Sequence, residues 1–139
     1  MQDRFKFRVF LKYNQIMCNI DSYCFLQGFN KCVFHFTNGS QKTLKNDDFI
    51  IMQCTGLKDK NGKLIYEGDI VEKKTRCKWI VTWFKNRFIL VPDFEYKNRN
   101  KFACNRVCGF KYFENNHDYA HINCEVIGNI YENPEPLED

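Results

Sequence analysis

The chain has 139 residues, is 44% hydrophobic and 17% aromatic, and carries a formal charge of +4. That length fits one domain with a modest core. Fourteen Phe and seven Tyr, against alanine at only Ala103 and Ala120, favour strands and exclude a helical bundle. The mild basic excess falls short of a dedicated nucleic-acid domain, so it permits an anionic partner without demanding one.

No apolar run approaches the ~20 residues needed to span a bilayer. The N-terminus MQDRFKFRVFLKYN interleaves charged and apolar residues and cannot form a signal-peptide core. A cytoplasmic chain is therefore expected, and in a reducing compartment its eight cysteines should be thiols or metal ligands rather than disulfides.

Phe5 to Leu11 alternates apolar and basic residues, which predicts a half-buried strand with Lys6 and Arg8 outward. A turn at Tyr13–Gln15 and a return over Ile16–Ile20 make a hairpin. Cys24–Phe29 is ambiguous. Val33–Phe36 resumes alternation, placing His35 as a half-buried histidine, and Asn38-Gly39 is a type I′ turn dipeptide. Phe49–Thr55 is a short apolar strand. It leads into TGLKDKNGKLIYEGDIV, residues 55–71, where Asn61-Gly62 reverses the chain and Gly68-Asp69 marks a bulge or corner. Leu57, Leu64, Ile65, Ile70 and Val71 supply core. Asp59 and Asp69 read as turn-forming residues.

Lys78–Phe84 is the most β-prone run, and Phe88–Val91 pairs back across a turn at 85–87 before Pro92 stops it. Asp93 to Asn116 is polar and irregular. Ile122–Ile130 is a final strand, with Asn133-Pro134 and an acidic end beyond it. The expected fold is mainly β: a small twisted barrel or sheet with an SH3-like tendency, an irregular loop-rich lobe and one short helix. The expected organisation is a single domain over 1–139. It comprises an N-terminal hairpin region (1–53), a β core (54–134) carrying the lobe at 93–121, and an acidic tail (135–139).

TGLKDKNGKLIYEGDIV and EVIGNIYENPEP, supported by RFKFRVFLKYNQIM, resemble the YopX family of small phage and prophage proteins. These pieces bracket the chain. The resemblance implies a mainly β fold and an origin in a phage or integrated element. It carries no reaction and no catalytic residues, so the shared motifs read as scaffold.

Two constellations outside those motifs have chemical content. Cys104, Cys108, His117, His121 and Cys124 offer two short-spaced ligand pairs to a structural zinc ion, although Cys-x3-Cys and an eight-residue gap are unusual spacings. The His pair shares a face on a helix or a strand. The competing reading is buried thiols and surface histidines. No HExxH-like base suggests catalytic zinc, and no phosphate or dinucleotide fingerprint occurs. Secondly, Lys73, Lys74, Arg76, Lys78 and Arg87 interleave with Trp79 and Trp83, and Lys97, Arg99 and Lys101 form a basic loop. Lysines and arginines would neutralise phosphates while aromatics stack bases. Against that, Trp79, Val81 and Trp83 alternate and would point into the core. The expected function is binding, first to a host or anti-phage defence protein and alternatively to nucleic acid. Self-association stays open, and an enzyme ranks third.

Overall fold

The computed structural model of the chain describes residues 6–73, 78–84, 87–92 and 124–132. These residues form ten strands: β1 (Phe7–Leu11), β2 (Ile16–Leu26), β3 (Lys31–Phe36), β4 (Gln41–Lys45), β5 (Phe49–Lys58), β6 (Leu64–Tyr66), β7 (Asp69–Lys73), β8 (Lys78–Phe84), β9 (Arg87–Pro92) and β10 (Cys124–Asn129). A single 3-10 turn, Asn46–Asp48, joins β4 to β5. Residues 116–123, where a helix would set His117 and His121 on one face, the lobe at 93–121 and the acidic tail lie outside the described residues. None of the helical structure described is long and apolar enough to cross a membrane.

The strands make two antiparallel sheets, ordered β4-β3-β2-β1-β5-β6 and β10-β7-β8-β9. The mainly β expectation holds, but the SH3-like barrel does not form. β4 and β6 are opposite edges of an open sheet and do not pair. The first sheet is nevertheless strongly curled. β3 and β5 are three strand spacings apart, about 14 Å in a flat sheet. Even so, the rings of Phe34 and Phe49 meet edge-to-face with centroids 4.7 Å apart. A bulge in β2 between Ile20 and Ser22 contributes to the bend.

Curling places Val9, Leu11, Ile20, Cys32, Phe34, Phe36 and Phe49 in one cluster on the concave face. The other face of β1 looks toward the second sheet: Phe10 stacks on Tyr131 at 5.5 Å, and Arg8 reaches Asp69 of β7. β1 is therefore covered on both sides. Arg8, expected outward, is buried. A second cluster gathers Ile65, Val71, Val81, Phe88, Leu90, Cys124 and Val126.

The two Asn-Gly pairs do turn the chain, in a different conformation from type I′. Only the glycines have positive φ (Gly39 +89°, Gly62 +82°), and neither Asn38 nor Asn61 does. Gly39 N–H donates to Phe36 O and Gly62 N–H to Asp59 O, each at 3.0 Å. These are three-residue loops with a left-handed glycine at the end, a geometry that needs one positive φ rather than two. Gly68 (φ +86°) turns the chain into β7 as expected. A Cβ there would lie 3.2 Å from Tyr131 Cε2 and 3.3 Å from Met52 Sδ, so a side chain would crowd these neighbours as well as strain the backbone.

The exposed edge β4 carries Lys42 and Lys45, β6 has three residues, and β9 ends at Pro92. Lysine, brevity and proline each discourage another chain from pairing at an edge.

Candidate partner-binding site

Local polar side chains hold the motif at 55–71 in place. Asp59 Oδ1 accepts the N–H groups of Asn61 and Lys63, each at 2.9 Å, which fixes the loop. Its Oδ2 accepts Val126 N–H at 2.9 Å, tying that loop to β10. Lys60 N–H adds a bond to Cys124 O at 3.0 Å. Asp69 Oδ1 pairs with Arg8 Nη2 at 2.6 Å, and its Oδ2 accepts Tyr66 N–H at 2.8 Å. Thr55 Oγ1 donates to Ile65 O. Asn129 Oδ1 receives the N–H groups of Tyr131 and Glu132, closing the final strand. Asp59 and Asp69 are thus at turns, as expected, but both are buried and serve as long-range anchors. These acids have structural partners, and nothing in their arrangement suggests an acid–base pair.

Of the basic residues singled out, Lys73 and Lys78 are described and both are partly buried. Lys73 Nζ sits 4.6 Å from the Trp79 ring centroid. Trp79 and Val81 do pack inward. Trp83 does not: it is 44% exposed and meets Phe88 edge-to-face. Lys74, Arg76, Lys97, Arg99, Lys101 and the Arg87 side chain lie outside the described residues, as do Cys104, Cys108, His117 and His121. His35, expected to be half-buried, is exposed, because Phe34 and Phe36 take the inner face of β3.

Cys124 is fully buried in the second core cluster. Among the described residues no three His, Cys, Asp or Glu side chains are grouped to hold a metal ion. Among the described residues Cys18, Cys24 and Cys32 are free thiols. Burial, with a smaller push from the Asp59 carboxylate, raises the Cys124 thiol from 9.0 to about 11. Its contribution to stability is therefore fully present below about pH 9 and is lost as pH rises toward 11, where the unfolded chain ionises first. Two pH units correspond to about 2.7 kcal/mol. Denaturant melts from pH 8 to 11 should show a fall that is shallower in Cys124→Ala; equal slopes would contradict this.

The surface feature that sequence reasoning missed is apolar. Four of the six large hydrophobic side chains exposed among the described residues belong to β2 or its flanking turns: Tyr13, Ile16, Phe25 and Phe29. Ile16 and Phe25 are nine residues apart, about 30 Å along a strand. They therefore mark two separate ends of the curled sheet. At the far end Phe29 is 72% exposed, and Phe25 is 54% exposed while touching Tyr23 edge-to-face at 5.8 Å. At the near end a cleft of about 460 Å³ opens between the β1–β2 and β3–β4 turns. The clue was the ambiguous Cys24–Phe29 run, whose aromatics sit where turn residues normally do.

A family model described as YopX protein matches residues 6–138. The chain belongs to the YopX family. The match spans both bracketing motifs and the segment between them. The crystal structure of protein EF1440 from Enterococcus faecalis is similar, with a TM-score of 0.59 and 26% identity. The alignment covers 96% of this chain and 97% of that one. No curated protein matches. Within this YopX-family scaffold the aromatic end of β2, with Phe25 and Phe29, stands exposed.

Proposed function

We propose that this YopX-family chain is a phage- or prophage-encoded accessory protein that works by binding a host or anti-phage defence protein. The observation carrying the reading is the exposed Phe25–Phe29 end of the long β2–β3 hairpin. Exposed aromatics braced by a rigid sheet are the side chains that dominate protein interfaces. The two buried acids, Asp59 and Asp69, are engaged in holding the fold, which supports binding over catalysis at those positions.

The test is capture from host lysate, comparing the wild-type chain with a Phe25→Asp/Phe29→Asp variant whose thermal melt is unchanged. One stoichiometric protein should be retained by the wild type. Its affinity for the variant should fall about 30-fold or more, the effect of losing a 2 kcal/mol hot spot. Undiminished capture by the variant would sink the reading.

The nucleic-acid reading retains one specific observation, the Lys73–Trp79 cation–π contact, with the exposed Trp83 four residues further along β8. Retention on DNA or RNA at low salt, lost in a Lys97/Arg99/Lys101 triple alanine variant, is the measurement that would favour it. No retention at low salt would remove it.

A further inference from the structure

The cleft at the near end of β2 has a composition that suits one chemical class of ligand. Its apolar lining is Leu11, Ile16 and Phe36, together with the partly buried Cys18. Asn38 and Ser40 of the β3–β4 turn add neutral polar groups to the lining. Lys42 supplies the only formal charge among the lining residues, which include no carboxylate. A volume of about 460 Å³ falls in the range of small-ligand sites.

The cation is held rather than free to wander. Lys42 Nζ donates to the Tyr13 hydroxyl and lies 4.8 Å from the Tyr13 ring centroid, linking β4 to the β1–β2 turn. An ammonium has three donors and Tyr13 takes one. Among the described residues no carboxylate pairs with Lys42. Glu132, whose field reaches Cys18, is itself held by Asn129 Nδ2 at 2.9 Å. Ile16 is 49% exposed at the cleft, leaving apolar surface available for cover.

We propose that this cleft binds a carboxylate attached to an apolar side chain, the carboxylate meeting Lys42 and the side chain lying over Leu11, Ile16 and Phe36. A free small acid and the C-terminus of a peptide share this chemistry. The site is at the opposite end of β2 from Phe25 and Phe29, so it stands or falls separately from the partner reading.

The test is an NMR titration of the full, 15N-labelled chain with N-acetyl-leucine, N-acetyl-leucinamide and a hexapeptide ending in leucine with a free carboxylate. N-acetyl-leucine should give saturable shifts in the amides of residues 11–19 and 36–42. The neutral amide should bind about tenfold more weakly, as should N-acetyl-leucine to Lys42→Ala, from losing one charge-assisted hydrogen bond. Ile16→Asp should abolish saturation. Tighter binding of the hexapeptide assigns the natural ligand to a peptide terminus, and equal or weaker binding assigns it to a small acid. No saturable shift up to about 10 mM, where millimolar affinities still register, would overturn the proposal. Equal binding of the neutral amide, or undiminished binding by Lys42→Ala, would also overturn it.

Discussion

Arg8→Ala is expected to cost about 3–5 kcal/mol of stability, the penalty for removing one partner of a buried ion pair. Asp69 is 1% exposed, and Arg8 at 2.6 Å is its only direct ion-pair partner among the described residues. Arg8 Nη2 also donates to Glu67 O at 3.3 Å, and the guanidinium lies 4.5 Å from the Tyr66 ring centroid. The pair connects β1 of one sheet to β7 of the other, so its loss is felt by both. It is not an ideal pair, because Arg8 Nε is buried without a partner. Replacing both residues, as Arg8→Met/Asp69→Asn, which removes both charges and keeps an acceptor for Tyr66 N–H, should therefore cost less than Arg8→Ala alone.

The pH dependence gives a second check. Burial already pushes the Asp69 carboxyl above its usual range, with Arg8 pulling it back down. Without Arg8 it should rise further. A carboxyl whose folded pKa is raised favours the folded state below its unfolded value, near 4, and loses that advantage as pH rises through the folded value. The deficit of Arg8→Ala should thus be largest near neutrality and shrink toward pH 4. Urea melts at pH 7 and pH 5 measure it. A loss below about 1 kcal/mol at pH 7 would refute the anchoring role.

Asp59→Asn separates the two tasks of Asp59. An asparagine oxygen can still accept from Asn61 and Lys63 and preserve the loop. Its amide nitrogen, however, would then face the Val126 N–H, donor against donor. Leaving that buried N–H unpaired should cost about 1–3 kcal/mol. Asp59→Ala removes all three acceptor bonds and should cost more, about 3–4 kcal/mol by the same reckoning. In hydrogen exchange, Asp59→Asn should lose protection at Val126 while keeping it at Lys63. Equal losses at both would refute the division.

Much of the chain could be read from local pattern. β8 runs from Lys78 to Phe84 as expected, because alternating β-branched and aromatic residues admit little else. Gly39, Gly62 and Gly68 mark reversals because a positive φ is a local demand that glycine meets cheaply. Alternation in Phe7–Leu11 also separated the two faces correctly. It could not tell that both would be covered, since the cover comes from residues sixty positions away. Arg8 was misplaced for that reason. Asp69 was found at its turn, but its ionic partner was invisible.

The β2 strand was cut short because the bulge between Ile20 and Ser22 breaks the alternation that identifies a strand. β4 was missed because its residues are mostly exposed, so QKTLK offers no apolar rhythm. The two apolar ends of β2 were illegible for a related reason. Tyr13, Ile16, Phe25 and Phe29 look like ordinary core residues until the fold leaves them uncovered. Cys124 is a candidate ligand by spacing, and its place in the second core cluster is legible only from packing.

The pairing of β10 with β7 joins Lys73 to Cys124, a separation of 51 residues. The strands β1 to β4, by contrast, are successive antiparallel neighbours joined by short turns. On the ribosome, at ~5–20 residues per second, these two facts set a timetable. The first hairpins can close as they emerge, whereas one edge of β7 must wait about 3–10 s longer for its partner to be made. During that interval the edge presents unpaired backbone groups beside Val71 and Ile70. A window for unwanted pairing at the β7 edge thus opens late in synthesis, and it closes when β10 arrives.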